Sequence, residues 1–189
     1  MTRFIPPICT LMALLLFTIS PSIHAVEIAR FDDGPFAGMG YPFSESARAG
    51  DLLFLAGQIG EDADGKLLPG GIQAEARQML LNIEAALARR GLNMDHVVKC
   101  TVFLADIAEW GAFNEVYKEH FSQPYPARSA LGARGLAGNA RVEMECIAAY
   151  PNGYQGSSSA DDKHPEYDAV MRVVESATCL GLAALTASA

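Results

Sequence analysis

Leu52-Leu53-Phe54-Leu55-Ala56 is apolar without alternation, and this run restricts the possible folds more than any other stretch. A strand wetted on one face alternates apolar and polar residues. A strand with no polar face is buried on both, at a sheet centre or against another subunit. Ser44–Ala49 and the Gly50-Asp51 turn precede it and read as the other half of a hairpin. Glycine at the first central position predicts a type II′ turn, whose twist suits antiparallel strands. Gly57, just past the run, predicts close backbone approach by another group, or merely a bend.

The remaining elements follow from periodicity. Glu27–Phe31 is a short strand candidate. Ile72, Ala76, Met79, Leu80, Ile83, Ala86 and Leu87 fall on one face of a helix running to Arg90. Arg89 and Arg90 suit its C-terminal dipole, and Gly91 its left-handed stop. Val97–Leu104 is a strand, and Asp106 caps a second helix over Ile107–Phe121 with Trp110, Phe113, Val116, Tyr117 and Phe121 as its apolar stripe. Pro124 and Pro126 stop that helix, and Val142–Tyr150 closes the domain as a strand. The order is strand, hairpin, helix, strand, helix, strand. This predicts an α+β fold with two helices on one face of a sheet. The other face then needs a cover, which another copy of the chain would supply.

Chemistry concentrates between Pro126 and Glu143. Pro126-Ala127 puts the Arg128 guanidinium on a stiff mount, and such a fork can hold a carboxylate by two parallel hydrogen bonds. Glu143, in the strand that follows a Gly-rich run, can hold and polarise a water. The plainer alternative is a surface arginine near solvent-facing acids. Asn114 is a poor mid-helix residue, and solvent exposure at the helix edge is sufficient reason for it. His96, His120 and His164 have no partner motifs, and Asp62 and Asp64 lack the remaining ligand spacing of a calcium loop.

The ends do not belong to the domain. Arg3, the apolar run Leu11–Ile19 and small Ala25 have the layout of a secretory signal peptide over residues 1–25. The run is shorter than the ~20 residues of a membrane span, so the exported chain would have no membrane attachment. Removing Arg3 takes Lys+Arg from 14 to 13 against 22 acids, a mature charge of −9. Such a chain is a poor partner for nucleic acid. The domain spans 26–154, a polar linker 155–164, and an extension, helical from Pro165, spans 165–189. Cys100, Cys146 and Cys179 survive cleavage; Cys100 and Cys146 read as two small buried residues, able to pair only if their strands are neighbours.

Several stretches resemble one family in order: Ala49-Gly50-Asp51-Leu52-Leu53-Phe54 with Gly57-Gln58-Ile59, then Gln78, Asn82 and Ile83, then Val97-Val98-Lys99 with Thr101-Val102-Phe103. Phe113-Asn114 with Tyr117 and Phe121, Pro126-Ala127-Arg128-Ser129 and Val142-Glu143-Met144 complete the set. Over about Phe43–Tyr150 the chain is similar to the RidA/YjgF family of reactive-intermediate deaminases. The resemblance implies a chorismate-mutase-like sheet, a homotrimer with clefts between subunits, and hydrolysis of enamines and imines such as 2-aminoacrylate to 2-keto acids and ammonia. It implies no metal and no organic cofactor. Arg128 would bind the carboxylate, Glu143 would hold water, Asn114 would stand at the cleft, and Gly57 and Ala130 would contribute backbone groups. The family's site tyrosine is Phe43 here, with Tyr41 as the nearest substitute, and its cysteine after Arg-Ser is Ala130. The lost hydroxyl and the export signal leave a second expectation: a carboxylate-binding or chaperone-like trimer without turnover.

Overall fold

The computed structural model describes residues 26–151. The expected signal peptide, linker and C-terminal extension, and Cys179, lie outside the described residues. Among the described residues there are seven strands and two α-helices: β1 (Ile28–Phe31), β2 (Ser46–Ala49), β3 (Leu52–Leu55), β4 (Gln58–Ile59), α1 (Ile72–Ala88), β5 (Val97–Leu104), α2 (Trp110–His120), β6 (Ala127–Gly132) and β7 (Val142–Ala149). They form one sheet in the order β1-β2-β3-β7-β5-β6, with β4 also on β7. Each pairing is antiparallel except β5 with β6. The α+β fold read from the sequence is therefore the fold observed.

The expected α1 stripe is buried, with Ala76, Met79, Leu80, Ile83, Ala86 and Leu87 all at 0% exposure. It packs on Leu53, Val102, Leu104, Val142 and Met144 from the sheet. Gly91 at φ 68° ends the helix, and the Leu92 N–H returns to the Leu87 carbonyl at 3.0 Å. Arg89 and Arg90 do more than meet the helix dipole. Arg89 Nε donates to Glu45 Oε2 at 3.0 Å, Arg90 pairs with Asp33, and Arg90 lies 4.1 Å over the Phe31 ring. These contacts tie both ends of the segment between β1 and β2 to the end of α1.

Three expectations need correction. Ala127–Gly132 is a strand, not only a stiff approach to Arg128. It is short, Gly-ended and built of small residues, so its own sequence carries little strand signal; the β5–α2–β6 crossover holds it parallel at the sheet edge. Trp110 is 46% exposed, because α2 begins at that residue and a single 3-10 turn, Ile107–Glu109, precedes it. Asp106 still caps as expected, accepting from the Ala108 N–H at 2.9 Å. Finally, Cys100 and Cys146 are buried but not free. They oppose one another directly on β5 and β7 and are joined as a disulfide. The sequence placed both in strands but could not show that those strands are neighbours.

Among the described residues, nothing covers the face away from the helices. Leu52, Phe54 and Leu131 stand on it at 41–44% exposure, with Phe103 and Ile147 half-buried beside them. The run that lacks alternation thus has one face in the core and one apolar face that no described residue covers.

Closing a loop over a separation of 46 residues stabilises a fold by about 4 kcal/mol through the unfolded state. Cys100→Ala with Cys146→Ala is therefore expected to lower the unfolding free energy by about that amount, read from the denaturant midpoint. Unchanged stability would contradict the cross-link.

Candidate functional site

The first cluster sits where β6 meets α2. Arg128 is opposite Cys100 on β5, so its side chain leaves the sheet on the helix side. There its Nη2 donates to Asn114 Oδ1 at 2.6 Å. Its Cζ lies 4.3 Å over the Tyr117 ring and 5.5 Å from that of Phe113. Ala130, two residues on, shares this face and packs against the core. Asn114 therefore has a reason to be in a helix beyond solvent exposure: it holds one edge of the guanidinium. Arg128 is half-buried and does not project into bulk solvent.

The second cluster sits on the open face at a break in the sheet. β3 and β4 are two pieces of one interrupted strand along β7. Phe54 faces Ile147, but Gln58 faces Met144, so the register slips by one residue between them. Gly57 occupies this slip, and the Glu143 carboxylate lies where a Cβ on Gly57 would be, with Cδ at 3.0 Å. The close approach read from Gly57 is thus made by Glu143. A bulge of this kind re-aims side chains beside functional sites. Asn82 fixes the break by donating to the carbonyls of Ile59 at 3.0 Å and Glu61 at 2.9 Å, and Gln78 donates to Asn82 at 2.9 Å. Gly60 passes so near the Glu75 backbone that no side chain would fit. Burial, and next the charge of Glu145, raise the Glu143 pKa above the ordinary 4.5. That moves the carboxylate toward the range useful for a general base.

The two clusters do not meet within one chain. Arg128 is level with Cys100, whereas Glu143 is level with Phe103. Three residues along a strand is an odd step, which reverses the face, and a displacement of about 10 Å. Phe43 is a third, separate element. It is 59% exposed and stacks on Tyr41 with ring centroids 5.4 Å apart. A depression of about 160 Å³ on the open face is lined by Phe54, Lys99, Thr101, Glu145 and Ile147, among others, not by Arg128. Asp62, weighed as a calcium ligand, instead accepts the N–H groups of Asp64 and Lys66, each at 3.0 Å, within its own turn. Sequence reasoning missed Tyr117 as part of the first cluster, because its helical spacing reads only as core.

The chain is similar to several known proteins. The family profile described as Endoribonuclease L-PSP matches residues 38–150. A goat protein named 2-iminobutanoate/2-iminopropanoate deaminase is 43% identical over 108 residues, 57% of this chain and 79% of that protein. The crystal structure of yeast Mmf1 superposes with a TM-score of 0.60 at 34% identity, covering 66% of this chain and all of that one. RidA from the Antarctic bacterium Psychrobacter sp. PAMC 21119 gives 0.58 at 32% identity, over 64% and 97%.

Gly57→Ala tests the second cluster. The added methyl meets only the flexible end of Glu143, so unfolding stability is expected to change by less than about 1 kcal/mol. If Glu143 holds water as the resemblance implies, activity on an imino acid should fall at least about tenfold, since the methyl displaces its carboxylate. Full activity would mean that the Glu143 position does not matter.

Proposed function

This chain belongs to the RidA/YjgF family, described as Endoribonuclease L-PSP, and from that premise we propose that it is an imine deaminase. Its substrates are enamines and imines of the 2-aminoacrylate kind, and its products are 2-keto acids and ammonia. The observation that carries the reading is the pair of clusters: an arginine braced on a rigid mount, and a glutamate of raised pKa beside a backbone break.

The chemistry follows from those groups. The Arg128 fork, with one edge held by Asn114, takes the substrate carboxylate by parallel hydrogen bonds and so fixes the C=N carbon. Glu143 accepts a proton from water as the oxygen attacks that carbon. Glu143 returns that proton to nitrogen, and the carbinolamine then collapses: its hydroxyl gives its own proton to the Glu143 carboxylate as the C=O bond forms, the C–N bond breaks and ammonia leaves. Positioning and one general base suffice, because imines already react with water. The reaction needs no metal and no organic cofactor.

The two clusters stand on opposite faces, so the reading requires a second copy of the chain, with Arg128 of one protomer approaching Glu143 of another, as in the homotrimer that the family resemblance implies. The open apolar face around Leu52, Phe54 and Leu131 supports such an assembly. The leader layout at 1–25 supports export to the periplasm or the exterior, and the Cys100–Cys146 disulfide fits an oxidising compartment. The nuclease sense of the profile's description is not carried over, since a chain of net charge −8 is poorly suited to a phosphate backbone. Phe43 favours a second reading, a carboxylate-binding or chaperone-like trimer without turnover, because it lacks the hydroxyl that the family resemblance places there.

Ammonia and keto-acid release from a freshly generated imino acid separates these readings. The enzyme reading expects turnover, and a loss of about 100-fold or more in kcat/KM with Arg128→Ala. Equal rates for the two proteins would end it; binding without turnover would favour the second reading. The pH profile adds a further expectation. Glu143 works ionised and its pKa is raised, so activity should fall with decreasing pH at a value above 4.5. Glu145→Gln removes a like charge and should move that limb to lower pH. An unmoved limb would assign it to another group.

A further inference from the structure

Phe113, Tyr117 and Phe121 recur at every fourth residue along α2 and its end, so their rings form one column on the helix. Tyr117 is its centre, 4.4 Å from Phe121 in a stacked arrangement and 5.8 Å from Phe113. The same ring lies under the Arg128 guanidinium at 4.3 Å. Tyr117 is only 4% exposed, and its hydroxyl is buried without a hydrogen-bond partner among the described residues. The contact with Arg128 is therefore made by the ring face. Burial raises the phenol above the ordinary 10 and outweighs the opposing charge of Arg128, so the side chain is neutral and the attraction is to the π system.

A guanidinium on a flexible stem loses rotamer freedom when it grips a ligand, and holding it beforehand removes part of that cost. Asn114 restrains one edge at 2.6 Å. A single hydrogen bond leaves the guanidinium free to rotate about it, whereas an aromatic face 4.3 Å from Cζ adds a second, independent contact that limits that rotation. We infer that Tyr117 is a positioning residue for carboxylate recognition, its ring orienting the Arg128 fork toward the ligand before the ligand arrives. This rests on the reading of Arg128 as the carboxylate clamp. It assigns Tyr117, which sequence marks only as core, a part in affinity, and it assigns that part to the ring and not the hydroxyl.

Equilibrium binding of 2-oxobutanoate to the intact protein, read by calorimetry, tests this without requiring turnover. Tyr117→Leu should weaken binding roughly five- to thirtyfold, and Tyr117→Phe should recover it to within about threefold of the parent. In a kinetic assay the Leu variant should raise KM with kcat changed less than about twofold, the mark of lost uniform binding. Since Leu could loosen the column, a second series keeps the fold constant: phenylalanine with increasing ring fluorination at position 117 withdraws charge from the π face at nearly constant shape. Affinity should fall stepwise with fluorine count while the unfolding midpoint stays put. A flat series alongside lost binding in Arg128→Ala overturns the inference and leaves the clamp standing. Phe losing as much affinity as Leu also overturns it, by assigning the role to the hydroxyl. Absence of 2-oxobutanoate binding in the parent protein removes the clamp and this inference together.

Discussion

Alternation along β5 governs where chemistry can occur. Cys100 faces the helices and is bonded to Cys146; Phe103, three residues later, faces the open side. Arg128 inherits its face from the first and Glu143 from the second. No rotamer change brings a side chain through a packed sheet, so on the proposed reading one protomer offers either Arg128 or Glu143 to a given crevice. On that reading the apolar face that no described residue covers matters to function as well as to solubility. If copies cover it, they also bring the missing half of each site.

Each half is built by backbone more than by side chains. The β5–α2–β6 crossover sets Arg128 beside Asn114 and Tyr117, and the register slip at Gly57 makes room for Glu143. Asn82 holds that slip from α1, and the ion pairs of Arg89 and Arg90 hold the segment carrying Tyr41 and Phe43 from the same helix. α1 and its end thus anchor two elements bearing candidate site residues, neither of which lies on it.

Much of this was legible in the sequence, and the failures have physical causes. The α1 stripe, β5 and β7 were readable because their burial repeats at the period of the element. The expected approach at Gly57 found its partner in Glu143, although one chain's sequence cannot say which residue arrives across a sheet. β6 was missed because Ala-Arg-Ser-Ala-Leu-Gly has no alternation of its own and is held by a neighbour. The Cys100–Cys146 bond and the pairing of Arg89 with Glu45 are long-range facts, set by strand order and by how the β1–β2 segment docks. Tyr117 was legible as core and is core; its contact with Arg128 depends on where β6 comes to rest.

The central claim is that a working site takes Arg128 from one copy and Glu143 from another. Mixing the inactive variants Arg128→Ala and Glu143→Gln, after unfolding and joint refolding, tests it directly. If the halves come from different copies, some mixed assemblies contain one intact pair, and a substantial fraction of parental activity should return. If both halves act within one chain, no mixed assembly contains an intact site, and activity staying at the level of the separate variants would contradict the account.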